Sequence, residues 1–162
     1  MTSHVQHHPT TITTPTDTTI RIEREFDAPR DMVWDVYTDP ALIPEWLGPR
    51  SRQSEVLEYD VRPGGRYRYI SRRDGADELV FYGEFLEVVA PELLVSTFRY
   101  EGMSGQGSVD RAEFHEAGAS RTLLVATATF ASREDRDGMI QAGMESGVVT
   151  SYERLDEILS RR

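Results

Sequence analysis

From residue 18 onward, apolar and charged side chains alternate. Ile20, Ile22 and Phe26 share one parity, while Arg21, Glu23 and Glu25 take the other, the two-residue period of a half-buried strand. The spacing then changes to three and four, and Met32, Val33, Val36 and Tyr37 make a helical stripe. Asp27 and Pro29 ahead of it predict the helix start, the carboxylate as a cap and the proline in an early turn where its missing N–H is harmless. Asp39-Pro40 ends this helix and opens a second, which carries Leu42, Ile43, Trp46 and Leu47 and stops at Gly48-Pro49.

Strand-like runs separated by turn residues fill the chain up to Phe130. Leu57, Tyr59 and Val61 precede Arg62-Pro63-Gly64-Gly65, and Tyr67 and Tyr69 precede Asp74-Gly75, a strong hairpin signal. Residues 79–89 are apolar on both parities except Glu84 and Glu87, which predicts a central strand bulged near Gly83. Ala90-Pro91-Glu92 turns the chain into a strand at 93–100, and a glycine-rich loop over 101–107 leads to strands at 109–116 and 122–130. Residues 132–159 predict one long helix. Met144, Val148, Ser151 or Tyr152, Leu155 and Ile158 or Leu159 recur at helical spacing, behind a capping box of Ser132 and Asp135.

This order contains no βα repeat, which excludes Rossmann and barrel architectures. It predicts an α+β fold: a curved antiparallel sheet of about seven strands, two short helices after the first, and a long C-terminal helix against the sheet. Gly138, Gly143 and Gly147 lie within that helix, where each costs about 1 kcal/mol relative to alanine. Either they let the helix approach the sheet closely, or they leave room for a ligand beneath it. Residues 1–17, rich in threonine, proline and histidine, have almost nothing apolar to bury and predict a disordered tail before one domain at 18–162.

Composition narrows the chemistry. The 28 acidic and 18 basic side chains give a formal net charge of −10, which disfavours nucleic acid and anionic membrane surfaces as partners. No apolar run approaches the roughly 20 residues of a membrane span. The chain has no cysteine, so thiolate chemistry and disulfides are excluded, and the composition fits a reducing cytoplasm. His4, His7 and His8 lack the partners of a metal site, and Asp31, Asp35 and Asp39 lack a rigid ligand loop. Gly102, Gly105 and Gly107 are followed by a strand, with no helix N-terminus and no Gly-Lys-Ser/Thr, so no nucleotide cofactor is implied.

A space between sheet and helix is the natural place for a cavity. Trp46, Tyr67, Tyr69, Phe81 and Phe98 are available to line it, with Met144 and Val148 above them. Glu84, Glu87, Glu113 and His115 are candidate proton-transfer groups, but strand alternation turns such charges outward, and no catalytic set emerges. Arg62, Arg66, Arg68, Arg72 and Arg73 read as a solvated face paired with glutamates, unless one turns inward to hold a carboxylate.

Four stretches carry a resemblance: FDAPRDMVWDVYTDPALIPEWLGP, DVRPGGRYRY, YGEFLEVVAPELLVSTF and SREDRDGMIQAGMESGVVTSYERLDEIL. They resemble bacterial proteins related to the C-terminal domain of the activator of heat-shock protein 90 ATPase, within the SRPBCC or START-like superfamily. The resemblance spans residues 18–159 and implies the helix-grip fold. It implies binding of a small hydrophobic or amphipathic molecule; a polyketide cyclase or dehydratase activity, a chaperone-ATPase regulator and a stress-linked interaction protein are the alternatives. The eukaryotic activator has a separate N-terminal chaperone-docking domain, for which only a short tail stands here. The free edge of the sheet offers a route to a homodimer.

Overall fold

The computed structural model describes residues 7–102 and 106–162. Along the chain run β1 (Thr11–Thr13), β2 (Thr19–Phe26), α1 (Arg30–Thr38), α2 (Ile43–Trp46), β3 (Gln53–Tyr59), β4 (Arg66–Arg72), β5 (Leu79–Val89), β6 (Leu93–Tyr100), β7 (Ser108–Glu116), β8 (Thr122–Phe130), α3 (Arg133–Gln141) and α4 (Met144–Leu159). The strands form one antiparallel sheet in the order β1-β2-β8-β7-β6-β5-β4-β3. Register shifts at Val56/Glu58 and at Phe85/Glu87 bend β3 and the long β5, as bulges do. The predicted meander and the long strand over residues 79–89 are present; the bulge of that strand falls at Phe85/Glu87 and not near Gly83, which stays in register opposite Tyr67.

Four expectations need correction. Thr11–Thr13 is a strand, antiparallel to β2 with Ile12 opposite Ile22, so the described part of residues 1–17 is not a disordered tail. Its backbone pairs with an otherwise open edge, and Ile12 packs on the core. His7 and His8 also have partners: His7 Nδ1 lies 2.8 Å from Asp156 Oδ2 and His8 Nε2 lies 2.8 Å from Asp27 Oδ1. His4 lies outside the described residues. Asp27, so engaged, caps nothing; Pro29 is the N-cap of α1 and makes no side-chain cap bond. In α1 the deeply buried side chains are Val33, Trp34 and Val36, with Trp34 edge-on to Phe114 at 5.3 Å, while Met32 and Tyr37 are half-buried.

The fourth correction concerns the C-terminal helix, which is two helices. Ser132 Oγ accepts from Asp135 N at 3.1 Å, as its capping pattern predicts. The winding then stops at Gly143, whose φ of +84° is left-handed. Close packing does not account for Gly138 and Gly147, because an added Cβ would meet nothing within 4 Å at either. Gly143→Ala is expected to cost about 1–2 kcal/mol, the penalty of a side chain in the left-handed region. Gly138→Ala, in open space within α3, is expected to stabilise by about 0.5–1 kcal/mol. Urea denaturation of the two variants checks the opposite signs.

The second half of α4 anchors the layer. Its buried residues begin at Ser151 and include Tyr152, Leu155, Asp156, Ile158 and Leu159, whereas the first half is exposed or half-buried. Arg24 shares the inward parity of Ile20, Ile22 and Phe26 and is fully buried. Its guanidinium forks onto Asp156: Nη1 reaches Oδ1 at 3.1 Å and Nη2 meets Oδ2. Nη1 also donates to Glu25 O at 2.5 Å, and the guanidinium lies 4.9 Å from the Phe26 ring centroid. Among the described residues no helix is long and apolar enough to cross a membrane.

Candidate functional site

The concave face of the sheet is lined by small side chains where the first half of α4 passes over it. Ala112 faces Ala126 across β7 and β8, and Asp110 sits between Ser96 of β6 and Ala128 of β8. Large side chains surround this floor, and helix and sheet do not close on it. The result is a cavity of about 310 Å³, the lower end of the size expected for a small-molecule site.

One wall comes from β4. Tyr67 lies across Gly83, where an added Cβ would come within 2.7 Å of the Tyr67 ring and 2.0 Å of Thr97 O. The Tyr67 hydroxyl donates to that same Thr97 O at 2.6 Å, so glycine is what lets the ring lie flat against the strand. Tyr69 stacks on Tyr67 at 6.3 Å and on Phe81 at 5.1 Å, and Phe81 stacks on Phe98 at 5.5 Å. The opposite wall is Trp46 with Tyr37 against it, ring centroids 5.0 Å apart. Here α4 fixes the loop after α2: Gly48 N donates to Ser151 Oγ at 2.8 Å, and Arg154 donates to Gly48 O and Pro44 O at 2.9 and 3.2 Å. Met139 and Met144, both half-buried, flank the helix break and line the cavity between its interior and solvent.

Of the side chains expected at such a site, Trp46, Tyr67, Tyr69, Phe98, Met144 and Val148 line the cavity. Phe81 does not; it backs the wall through Tyr69 and Phe98. Glu84, Glu87 and His115 are exposed on the outer face, and Glu113 is half-buried there beside Arg111 and His115. Of the arginine group, Arg62 pairs with Asp60, Arg68 with Glu101, and Arg72 with Glu55 and Glu78. None of that group lines the cavity. Asp31 and Asp35 are exposed, and Asp39 accepts from Ala41 N at 2.9 Å. Gly105 lies outside the described residues. Among the described residues, no three His, Asp or Glu side chains converge as metal ligands.

The polar centre of the cavity is a residue that sequence reasoning passed over. Asp110 has the inward parity of Ser108, Ala112 and Phe114 on β7. Among the described residues its one side-chain hydrogen bond is from Ser108 Oγ, 2.7 Å from Oδ1. It has no ion pair among the described residues. Burial pushes its carboxyl up from 3.8 to about 6, and the Ser108 bond offsets part of that rise. Its accessible surface faces the cavity, which is why it is half-exposed yet removed from bulk water. The phenols of Tyr37, Tyr67, Tyr69 and Tyr152 are all raised above the ordinary tyrosine range, first by burial and further by the Asp110 charge. They therefore stay protonated; Tyr67 donates its proton to Thr97 O, and Tyr37, Tyr69 and Tyr152 can donate toward the cavity. Arg111, the one arginine among the described lining residues, stands at an outward position, its side chain half exposed and 3.6 Å from Glu113. All 18 basic residues of the chain are arginines, so Schiff-base chemistry by a lysine is excluded.

Residues 27–160 match the family model described as "Activator of Hsp90 ATPase homolog 1-like protein". The chain belongs to this family. Solved structures share the fold of this activator-like domain. A protein from Rhodobacter sphaeroides superposes with a TM-score of 0.88 at 21% identity, covering 95% of this chain and all (100%) of that one. A protein from Mycobacterium smegmatis gives 0.84 at 27% identity over 94% of this chain and 99% of its own. CalU16 from Micromonospora echinospora gives 0.60 at 25% identity over 86% and 73%. No curated protein matches the chain. The activator-like domain is thus a helix-grip fold of the SRPBCC superfamily, its sheet extended to eight strands by β1 and its grip helix divided at Gly143.

Proposed function

We propose that this activator-like domain binds one small, mainly apolar molecule in the cavity between sheet and α4, with a single polar group directed at Asp110. The supporting observation is the cavity itself: about 310 Å³ walled by aromatic rings, with Asp110 as the one carboxyl among its described lining residues and Arg111, its one arginine, turned toward Glu113. A domain needing only a core would fill this volume, since an empty space of that size costs several kcal/mol at about 24 cal/mol per Å³. Alanines at 112, 126 and 128 keep it open.

Titration with the neutral fluorophore N-phenyl-1-naphthylamine tests this. The wild-type protein is expected to show one-site, saturable enhancement. Ala126→Phe, which places a ring in the floor, is expected to abolish the enhancement while keeping a cooperative thermal transition. Unsaturable enhancement, or equal binding by the filled variant, would sink the reading.

A second reading is proton transfer to or from the bound molecule, as in a cyclase or dehydratase. Asp110, held near pH 6 beside protonated phenols, favours it, because such a carboxyl can act as acid or base near neutrality. Activation of the Hsp90 ATPase rests on the family description alone, and localisation in the cytoplasm stays an expectation from composition.

A further inference from the structure

We infer that the ligand of this cavity carries a protonated amine, held by the Asp110 carboxylate among the aromatic side chains that line it. The inference rests on the proposed binding role and names the class of molecule that role serves.

Three features point to it. The first is charge: among the described residues lining the cavity the one carboxyl is Asp110 and the one cation is Arg111, which stands at an outward position with its guanidinium beside Glu113. An anionic ligand would meet the Asp110 charge, and a wholly apolar one would leave a desolvated carboxylate with the Ser108 hydroxyl as its one side-chain donor among the described residues. An ammonium group supplies the missing charge and up to three donors. The second is the wall. Tyr37, Trp46, Tyr67 and Tyr69 line the same volume, and aromatic rings attract a desolvated cation. The third is size: after the amine is placed at Asp110, the alanine floor and Met144 leave room for an aromatic or branched apolar body.

The groups packed around Asp110 give the ligand's pH dependence a defined origin. Facing it are Ser108 on its own strand, Tyr67 and Tyr69 from β4, Tyr37 from α1 and Tyr152 from α4. The phenols do not ionise below the alkaline range. Arg24 and Asp156, behind Tyr152, are paired with each other, and Asp156 also meets His7, on the far side of that pair. Between pH 5 and pH 8, Asp110 is therefore the cavity group whose charge changes.

Isothermal titration calorimetry with tryptamine, tryptophol and indole-3-acetate, which share one ring system, separates the classes. At pH 7.5 tryptamine is expected to bind about tenfold or more tighter than tryptophol, the gain of a charge-assisted hydrogen bond, and indole-3-acetate weakest. At pH 5 tryptamine is expected to lose about tenfold, the fraction of Asp110 left ionised, while tryptophol changes little. Asp110→Asn is expected to erase the preference at pH 7.5, and Ser108→Ala to retain it. Equal affinities for tryptamine and tryptophol, or an amine preference that survives Asp110→Asn in a folded variant, would overturn the amine assignment and leave the binding cavity standing. Absence of saturable binding by all three, together with no N-phenyl-1-naphthylamine binding, would overturn both.

Discussion

Asp156→Leu is expected to destabilise the protein by about 3–5 kcal/mol, because it strands the Arg24 guanidinium in the core with its charge uncompensated. Arg24 has no exposed surface on its side chain and Asp156 has almost none, so water cannot replace the lost partner. Glu25 O and the Phe26 ring remain as neighbours, but a carbonyl and a ring face neutralise no charge. The double variant Arg24→Met/Asp156→Leu is expected to recover most of the loss, since replacing both members with apolar side chains removes the desolvation cost of each. A urea-denaturation cycle of wild type, the two singles and the double measures the coupling. A double variant no more stable than Asp156→Leu would mean that the penalty comes from packing and not from an unpaired charge. The outcome bears on the cavity too. This pair ties the second half of α4 to β2, and the first half of the same helix roofs the cavity without being buried.

Why the sequence carries the sheet order but hides the cavity's polar centre can be traced to individual residues. Tyr67 and Tyr69, Leu79–Val89 and the hairpin at Asp74-Gly75 each combine strand periodicity with a turn of defined chemistry, so local signal and tertiary structure agree. On β7 they compete. Val109 invites an inward assignment by its apolarity, yet it is 41% exposed; Ala112 and Phe114 set the parity instead, and with them Asp110 turns inward. Arg24 is hidden the same way, a charge on the parity of Ile20, Ile22 and Phe26 whose partner lies 132 residues away. Periodicity cannot anticipate a buried charge, because its compensation is not local. The break at Gly143 was legible only as one of three glycines. In β1, the threonines flanking Ile12 favour a strand, but the segment becomes one only because β2 offers a free edge. Six of the seven residues expected around a ligand do line the cavity, since aromatics on inward parities point there; Phe81 stands one ring behind.

Asp110→Asn is expected to stabilise the unliganded protein at pH 7.5 by roughly 2 kcal/mol, with no comparable gain at pH 4 or below. The sign follows from the direction of the shift. Burial raises the folded-state carboxyl from 3.8 to about 6, so below 3.8 it is protonated in both states and imposes no penalty. Between those values the unfolded chain ionises first, and stability falls as pH rises; above about 6 the full penalty is present. Two pH units correspond to nearly 3 kcal/mol, and water reaching Asp110 through the cavity reduces this to the smaller figure. Denaturation midpoints of both proteins from pH 4 to pH 8 should therefore diverge with rising pH, and parallel curves would show that the carboxyl is solvated like any surface aspartate. An amine at the site acts on the same equilibrium: it stabilises the ionised carboxylate and so draws the folded-state value back down. Saturating tryptamine should then erase the divergence for wild type, and any stabilisation it gives the asparagine variant should not change with pH. A carboxylate that weakens the empty fold yet is offset by its ligand places the cost of the residue in the unoccupied state and its benefit in the bound one.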